Sequence, residues 1–320
     1  MKSYAPIVLF TYNRPEHTKR TLEALAQNIG AEDSILVIYS DAPKKEKDAD
    51  KVQKVRDYLH TVDGFKETHV IEREKNMGLA DSIIDGVTRA TEEFGRVIVL
   101  EDDIVTSPYF LDYMNTALEK YKDEEQVMAI SGYLQPIASE DLPETFFLPW
   151  FDCWGWAVWK RSWQYFERDP EKLLRETSQD EIRYYNVNGT DDKWKQVIDN
   201  AEKRIRTWAV FFYIAICKHH GLVLHCNTSL VSNEGLDGSG EDSGISYEKR
   251  TESVYNKKVT QYSEDYTVNE EAERRLEEYY RTIHDLPPLY TRLIKIFRQE
   301  GLQGIIKRIR LAIKYNLKDA

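Results

Sequence analysis

Val97-Ile98-Val99-Leu100-Glu101-Asp102-Asp103 is the stretch on which the reading of this chain turns. Four apolar residues in a row, three of them β-branched, spell a short strand buried on both faces. The strand runs directly into three carboxylates. Burying unpaired carboxylates is costly, so such a strand delivers them to an open edge where a positive partner is expected. In an open α/β sheet, ligands bind at the carboxyl ends of the strands. A divalent cation carrying phosphate oxygens fits, because hard oxygen ligands suit Mg2+ and Mn2+. A solvated acidic turn is the competing reading, and the flanking sequence has to separate the two.

Upstream, strands and helices alternate. Pro6 to Phe10 reads as a strand leading into Thr11-Tyr12-Asn13-Arg14. Pro15 opens a helix with Leu22, Leu25, Ala26 and Ile29 at helical spacing, closed at Gly30. Ile35 to Tyr39 is a second strand ending in Ser40-Asp41, a charged helix carries Val52, Val55 and Leu59, and His69 to Ile71 is a third strand. After Gly78 an amphipathic helix places Leu79, Ile83, Val87, Ala90 and Phe94 on one face. This order predicts an α/β fold, a mainly parallel sheet with helices on both faces. It gathers Asn13 and Arg14, Asp41, Asn76 and the acidic triplet at one edge. Arg14 at a helix N-terminus suits an anionic group, and Asp41 suits a base N–H.

Downstream, Ser107-Pro108 opens a further helix and Val127 to Ser131 reads as a strand. From Phe146 an aromatic cluster that includes Trp150, Trp154, Trp156, Trp159 and Trp163 is either core or a wall that stacks on sugar or base rings. Asn188-Gly189-Thr190-Asp191-Asp192 reads as a turn opening a helix, with Thr190 or Asp191 as N-cap. Asn233 to Gly244 is a polar loop, disordered or a lid, and Tyr262 to Ile283 reads as a surface helix. Beyond Pro287-Pro288, Leu302, Ile305, Ile306, Ile309, Ile313 and Leu317 share one face of a helix whose other face holds Lys307, Arg308, Arg310 and Lys314. That pattern matches a helix on an anionic membrane surface, or one packed against an acidic body.

Net charge is −11 over 320 residues, which argues against generic nucleic-acid binding. Residues 289–320 run the other way, with eight Lys/Arg against two Asp/Glu. Cys153, Cys217 and Cys226 lack metal-ligand spacing and fit a reducing compartment as small buried hydrophobes. The first residues lack an apolar signal core, and no run approaches the roughly 18 apolar residues of a membrane span. The expectation is a cytoplasmic protein, peripheral at the inner face of the cell membrane through 289–320.

Five pieces, in order, resemble nucleotide-sugar glycosyltransferases of the GT-A (Rossmann-like) fold, among them family 2 enzymes and bacterial sugar transferases related to N-acetylglucosaminyltransferase I. They are the run from Ile7 to Pro15, Asn76-Met77-Gly78-Leu79, Val99 to Asp103, Trp154-Gly155-Trp156-Ala157, and Ser229 to Asn233 with the loop after it. The resemblance implies a GT-A domain over 1–245, with a nucleotide half at about 1–135 and an acceptor half at about 136–245. A helical extension at 246–320 follows. Asp103 would hold Mn2+ or Mg2+, and Asp102 and Glu101 would meet metal-bound water or the ribose and sugar hydroxyls. Arg14 would contact the diphosphate and Asp41 the uracil of a UDP-sugar, with Thr11, Tyr12, Asn13, Asn76 and Gly78 completing the donor site. Trp154, Gly155 and Trp156 would wall the sugar or acceptor.

Related enzymes invert configuration, which needs a carboxylate base; Asp192, with Asp191 beside it, matches that residue, and Asp152 is a further candidate. Many relatives carry a His where this chain has Glu241-Asp242. The implied activity is transfer from a UDP-sugar to a hydroxyl of a glycan or lipid-linked saccharide in cell-surface polysaccharide synthesis. A sugar-phosphate nucleotidyltransferase is an alternative, weakened because Thr11-Tyr12-Asn13-Arg14-Pro15 lacks the Gly-rich loop of those enzymes. The other alternative is a non-catalytic nucleotide- or glycan-binding scaffold.

Overall fold

The computed structural model describes residues 4–235 and 256–284. The first half runs β1 (Ile7–Thr11), α1 (Pro15–Ala26), β2 (Ile35–Ser40), α2 (Ala49–Leu59), β3 (Glu67–Glu72), α3 (Leu79–Phe94), β4 (Arg96–Glu101), β5 (Ile104–Thr106), α4 (Phe110–Lys120) and β6 (Val127–Ser131). The second half runs β7 (Thr145–Leu148), β8 (Trp156–Trp159), α5 (Lys160–Trp163), α6 (Pro170–Glu176), α7 (Gln179–Tyr185), α8 (Trp194–Ala201), α9 (Ala209–Lys218), β9 (Leu222–Cys226), β10 (Val231–Asn233) and α10 (Glu270–His284).

Because side chains alternate along a strand, each buried strand feeds two cores. Ile7, Leu9, Leu36, Ile38, Ile98 and Leu100 face α1, α2 and α4. Val8, Phe10, Tyr39, Val97 and Val99 face the opposite layer, which holds α3 and the apolar helix α9. The strands form one sheet in the order β3-β2-β1-β4-β8-β6-β9-β7, parallel through β3-β2-β1-β4 and again at β6-β9. β8 runs antiparallel between β4 and β6, so it starts at the edge where they end, with Trp156 beside Val99 and Ser131. A ribbon of β5 and β10 pairs Ile104 with Asn233 and draws residues 231–235 alongside the turn at Asp102-Asp103.

Several sequence expectations need correction. α1 ends at Ala26, and Gly30, at φ +94°, instead opens a short 3-10 turn. The buried stripe of α3 contains Ala80, Ile83, Val87 and Ala90, but Leu79 and Phe94 are 41% and 38% exposed. They are the terminal residues of the helix, one rimming a pocket at the carboxyl edge and the other overhanging the β2-β3 groove. α8 begins at Trp194, whose N–H donates to Asn186 Oδ1 at 2.7 Å, so neither Thr190 nor Asp191 caps it. α10 is more than a surface helix, since Ala272, Leu276 and Tyr280 are buried against the body. The basic segment 289–320 and the Glu241-Asp242 pair lie outside the described residues. Among the described residues no helix is long and apolar enough to cross a membrane.

Candidate active site

One pocket opens at the carboxyl edge of β1, β2 and β4, lined by Thr11, Tyr12, Asn13, Arg14, Asp41, Asn76, Gly78, Glu101 and Asp102. Asn13, Arg14, Asp41, Asn76, Glu101 and Asp102 were expected at this edge from the strand ends, and Thr11, Tyr12 and Gly78 from the family resemblance. The local bonding explains how they are held. Asp41 accepts from the N–H groups of Ala42 (2.9 Å), Met77 (2.9 Å) and Gly78 (2.8 Å), and Asn76 Nδ2 donates to Ala42 O at 2.7 Å. Asp41 is therefore a buried staple between the β2 end and the α3 entry, where the expectation had it reading a base. Gly78 enters α3 at φ +74°, a backbone that favours glycine. Tyr12 donates from its hydroxyl to Asp48 at 3.2 Å and accepts from Lys44 N at 2.9 Å, and Asn13 Nδ2 donates to Asp48 at 3.5 Å.

Beside the pocket, Asp102 and Asp103 are 4% and 7% exposed. Two buried carboxylates in sequence need a cation, and Arg14 supplies it. Its Nη2 bonds Asp102 Oδ1 and lies 2.9 Å from Asp103 Oδ2. Burial pushes the Asp102 carboxyl above its ordinary range, and the Arg14 guanidinium opposes that shift. Burial likewise disfavours the Arg14 charge, yet the two carboxylates hold its pKa above the usual value. Arg14 thus neutralises the acidic turn through Nη2. Arg14 Nη1, Asp102 Oδ2 and Asp103 Oδ1 remain buried without a hydrogen-bond partner among the described residues.

Two orphaned carboxylate oxygens fit a cation, and an orphaned guanidinium N–H fits an anion. No group of three or more His, Cys, Asp or Glu side chains is placed to hold a metal among the described residues. Mg2+ sites commonly use one or two carboxylates and take their remaining ligands from water and phosphate, so the donor set present fits such an ion.

Sequence reasoning missed the residues that seal this turn. Thr21 Oγ1 donates to Asp102 O at 2.9 Å, Glu234 N donates to Asp103 O at 2.9 Å, and Arg20 pairs with Glu234 at 2.6 Å. Gly235 lies so close that a Cβ built on it would overlap Asp103 Oδ2 and crowd Arg14 Nη1 at 2.9 Å. The glycine-rich run after Asn233 was the available signal.

The segment preceding β8 enters the sheet at the edge where β4 and β6 end. Asp152 accepts from Gln135 Nε2 at 2.9 Å, and the Trp154 ring meets Tyr133 edge-on at 4.5 Å. Burial pushes the Cys153 thiol well above its ordinary pKa, and the charges of Glu101 and Asp152 push the same way while Lys193 opposes them. Trp156 does not belong to a ligand wall. It is 1% exposed and packs among Phe151, Trp163, Trp208 and Phe212, because it starts a strand in the middle of the sheet. Gly155 is buried as well, where a Cβ would meet Val231 Cγ1 at 2.8 Å, and only Trp154 of the three is half-exposed. Asp191 pairs with Lys193 at 2.8 Å, whereas Asp192 is exposed and donates its N–H to Asp191 Oδ1 at 2.8 Å.

The family model for glycosyl transferase family 2 matches residues 7–174, more than half of the chain. The chain belongs to glycosyl transferase family 2. Structures similar to this family 2 chain include a Pyrobaculum calidifontis mannosyltransferase, PcManGT, in complex with GDP-Man and Mn2+. It is 12% identical over 68% of this chain and 70% of that one, at a TM-score of 0.37. Mouse xyloside xylosyltransferase 1 is 13% identical, covering 69% of this chain and 84% of that one at 0.35. S. aureus TarS is 15% identical, covering 45% and 24% at 0.30. No curated protein matches the chain in sequence.

Proposed function

We propose that this glycosyltransferase is inverting and metal-dependent, and that it moves a sugar from a UDP-sugar to a hydroxyl of a glycan or lipid-linked saccharide in cell-surface polysaccharide synthesis. The observation that carries the reading is the donor pocket, whose nine residues adjoin a carboxylate pair with two unpartnered oxygens. Thr11, Tyr12, Asn13, Asn76 and Gly78 shape the nucleotide cleft, and Arg14 Nη1 is available to a phosphate oxygen. Asp103, with Asp102 beside it, would hold Mn2+ or Mg2+; the ion would offset the negative charge that grows on the departing diphosphate. Asp192 is the base of this reading, since the carboxylate of Asp191 is already committed to Lys193. It takes the acceptor hydroxyl proton as that oxygen bonds to C1 of the sugar from the face opposite the diphosphate. The C1–O bond to UDP breaks with its electron pair, and UDP leaves.

Residues 1–245 form the catalytic unit of this reading, with a donor half at about 1–135 and an acceptor half at about 136–245. In this reading residues 289–320, at the end of the 246–320 extension, hold the enzyme at the inner face of the membrane. The family match leaves the nucleotidyltransferase alternative without support. A panel of UDP- and GDP-sugars assayed for hydrolysis and transfer with Mn2+ tests the rest. Turnover of a UDP-sugar that disappears in Asp103→Ala supports the proposal. Metal-dependent UDP binding with no turnover would favour a scaffold, and undiminished activity in Asp103→Ala removes the metal role.

A further inference from the structure

The loop that carries Asp191 and Asp192 has an unusual backbone. Val187, Asn188 and Gly189 are three successive residues at φ +50°, +54° and +86°. Such a conformation is unfavourable for a β-branched residue like Val187, which is nevertheless fully buried. The loop closes on itself: the N–H groups of Gly189, Thr190 and Asp191 all donate to Asn186 O, at 2.9, 2.9 and 3.0 Å. A strained turn of this kind persists only where its surroundings over-determine it, so what lies outside it is informative.

Outside it lies α10. Asn188 Nδ2 donates to Glu273 Oε1 at 3.2 Å and to Glu277 Oε1 at 2.8 Å, two carboxylates one helical turn apart on the same face. Carboxylates accept and do not donate, so this amide orientation is the one that bonds both. Five residues on, Lys193 Nζ bridges Asp191 at 2.8 Å and the Tyr280 hydroxyl at 3.5 Å, with its charge also over the Tyr280 ring at 5.0 Å. Two fastenings thus join α10 to the two ends of one short loop. The rest of α10 is anchored independently, by Ala272 and Leu276 in the core and by Arg275 on Asp141.

We infer that α10 is a clamp that positions the Asp191-Asp192 loop for catalysis, with Asn188 and Glu277 as positioning residues. This rests on the proposed role of that loop as the source of the base. Without the clamp, the left-handed run relaxes and the Asp191 and Asp192 carboxylates lose their fixed placement.

Hydrogen exchange on the full chain, with no ligand added, tests the clamp itself. Asn188→Gly keeps a residue suited to φ +54° while removing the anchor, and Glu277→Ala removes its partner. Each should speed exchange of the Gly189, Thr190 and Asp191 amides about 10–100-fold, and Glu277→Gln, which still accepts from Asn188, should restore slow exchange. Wild-type exchange in both Asn188→Gly and Glu277→Ala overturns the clamp.

Turnover of the UDP-sugar panel tests the positioning. Asn188→Gly and Glu277→Ala should lower kcat about 10–100-fold at unchanged donor KM, with recovery in Glu277→Gln. Faster exchange with undiminished kcat, in an enzyme that Asp192→Asn inactivates, overturns the positioning role. Wild-type turnover in both Asp192→Asn and Asp191→Asn instead overturns the assignment of the base, and the exchange result still decides the clamp.

Discussion

Replacing Arg14 with Met is the most informative single change, because that guanidinium is the counter-ion for two buried carboxylates at once. Methionine keeps much of the volume and removes the charge, leaving Asp102 and Asp103 at 4% and 7% exposure with no cation among the contacts described. Breaking a buried pair by deleting one partner costs about 3–5 kcal/mol, since the surviving charge is left uncompensated. For a chain of this size each kcal/mol moves the melting temperature by about 1.5 °C, so Tm should fall by about 4–8 °C. Mn2+ provides the second half of the test. If the two carboxylates are metal ligands, Mn2+ should stabilise Arg14→Met more than wild type, because the ion no longer competes with the guanidinium. At a hundredfold excess over Kd the linked gain is about 2.7 kcal/mol, enough to recover much of the loss. Melts followed by circular dichroism, with and without MnCl2, provide both numbers. A variant that melts within a degree of wild type and ignores Mn2+ would refute the electrostatic account of this turn.

Other outcomes follow from the same geometry. Gly235→Ala should cost about 1–3 kcal/mol and abolish the Mn2+- and UDP-induced thermal shift, since the added methyl overlaps Asp103 Oδ2 and a carboxylate held by Arg14 cannot withdraw. An unchanged shift would mean that the 231–235 segment does not bear on the site. Asp41→Ala strands the N–H groups of Ala42, Met77 and Gly78, at about 1–3 kcal/mol, and should weaken UDP binding measured by calorimetry; equal affinity would show that the staple does not shape the cleft. His225 is 4% exposed, its ring nitrogens face Tyr133 O at 3.2 Å and Trp150 O at 3.1 Å, and burial lowers its pKa to about 4 although these carbonyls favour the charged ring. The unfolded chain binds this proton from about pH 6.5 downward and the folded one does not until about pH 4, so stability should fall by up to ~3 kcal/mol on acidification through that window. Urea midpoints of wild type and His225→Gln at pH 7 and 4.5 should show the smaller acid loss in the variant, and equal losses would contradict the assignment.

The pocket edge was legible because its information is local. Strand ends follow from period-2 and period-3.6 patterning, and parallel connectivity then places Asn13, Asp41, Asn76 and Glu101 together without any knowledge of contacts. What those residues bond to was not legible. Arg14 finds Asp102 across 88 positions of sequence, and the choice of a carboxylate over a phosphate oxygen depends on burial that no local pattern encodes. The direction of β8 was hidden too, since Trp-Ala-Val-Trp has the same composition read either way. The family resemblance put Trp156 at a ligand wall, whereas pairing with both β4 and β6 places it in the middle of the sheet. The role of α10 was masked by its charge: Ala272, Leu276 and Tyr280 recur at i, i+4 and i+8 among carboxylates and guanidinia, a stripe too narrow to stand out.

The reversed strand has a consequence for how this enzyme can change. Parallel strands contribute to their rim only what comes after them, so every donor-side residue is tied to a following helix and its packing. β8 contributes what comes before it, namely Asp152, Cys153 and Trp154, on a stretch whose length is not dictated by any crossover. Substitutions and insertions between Leu148 and Gly155 can therefore remodel that stretch of the rim while leaving the pocket at the ends of β1, β2 and β4 and its helices in register, which gives evolution separate control over the two.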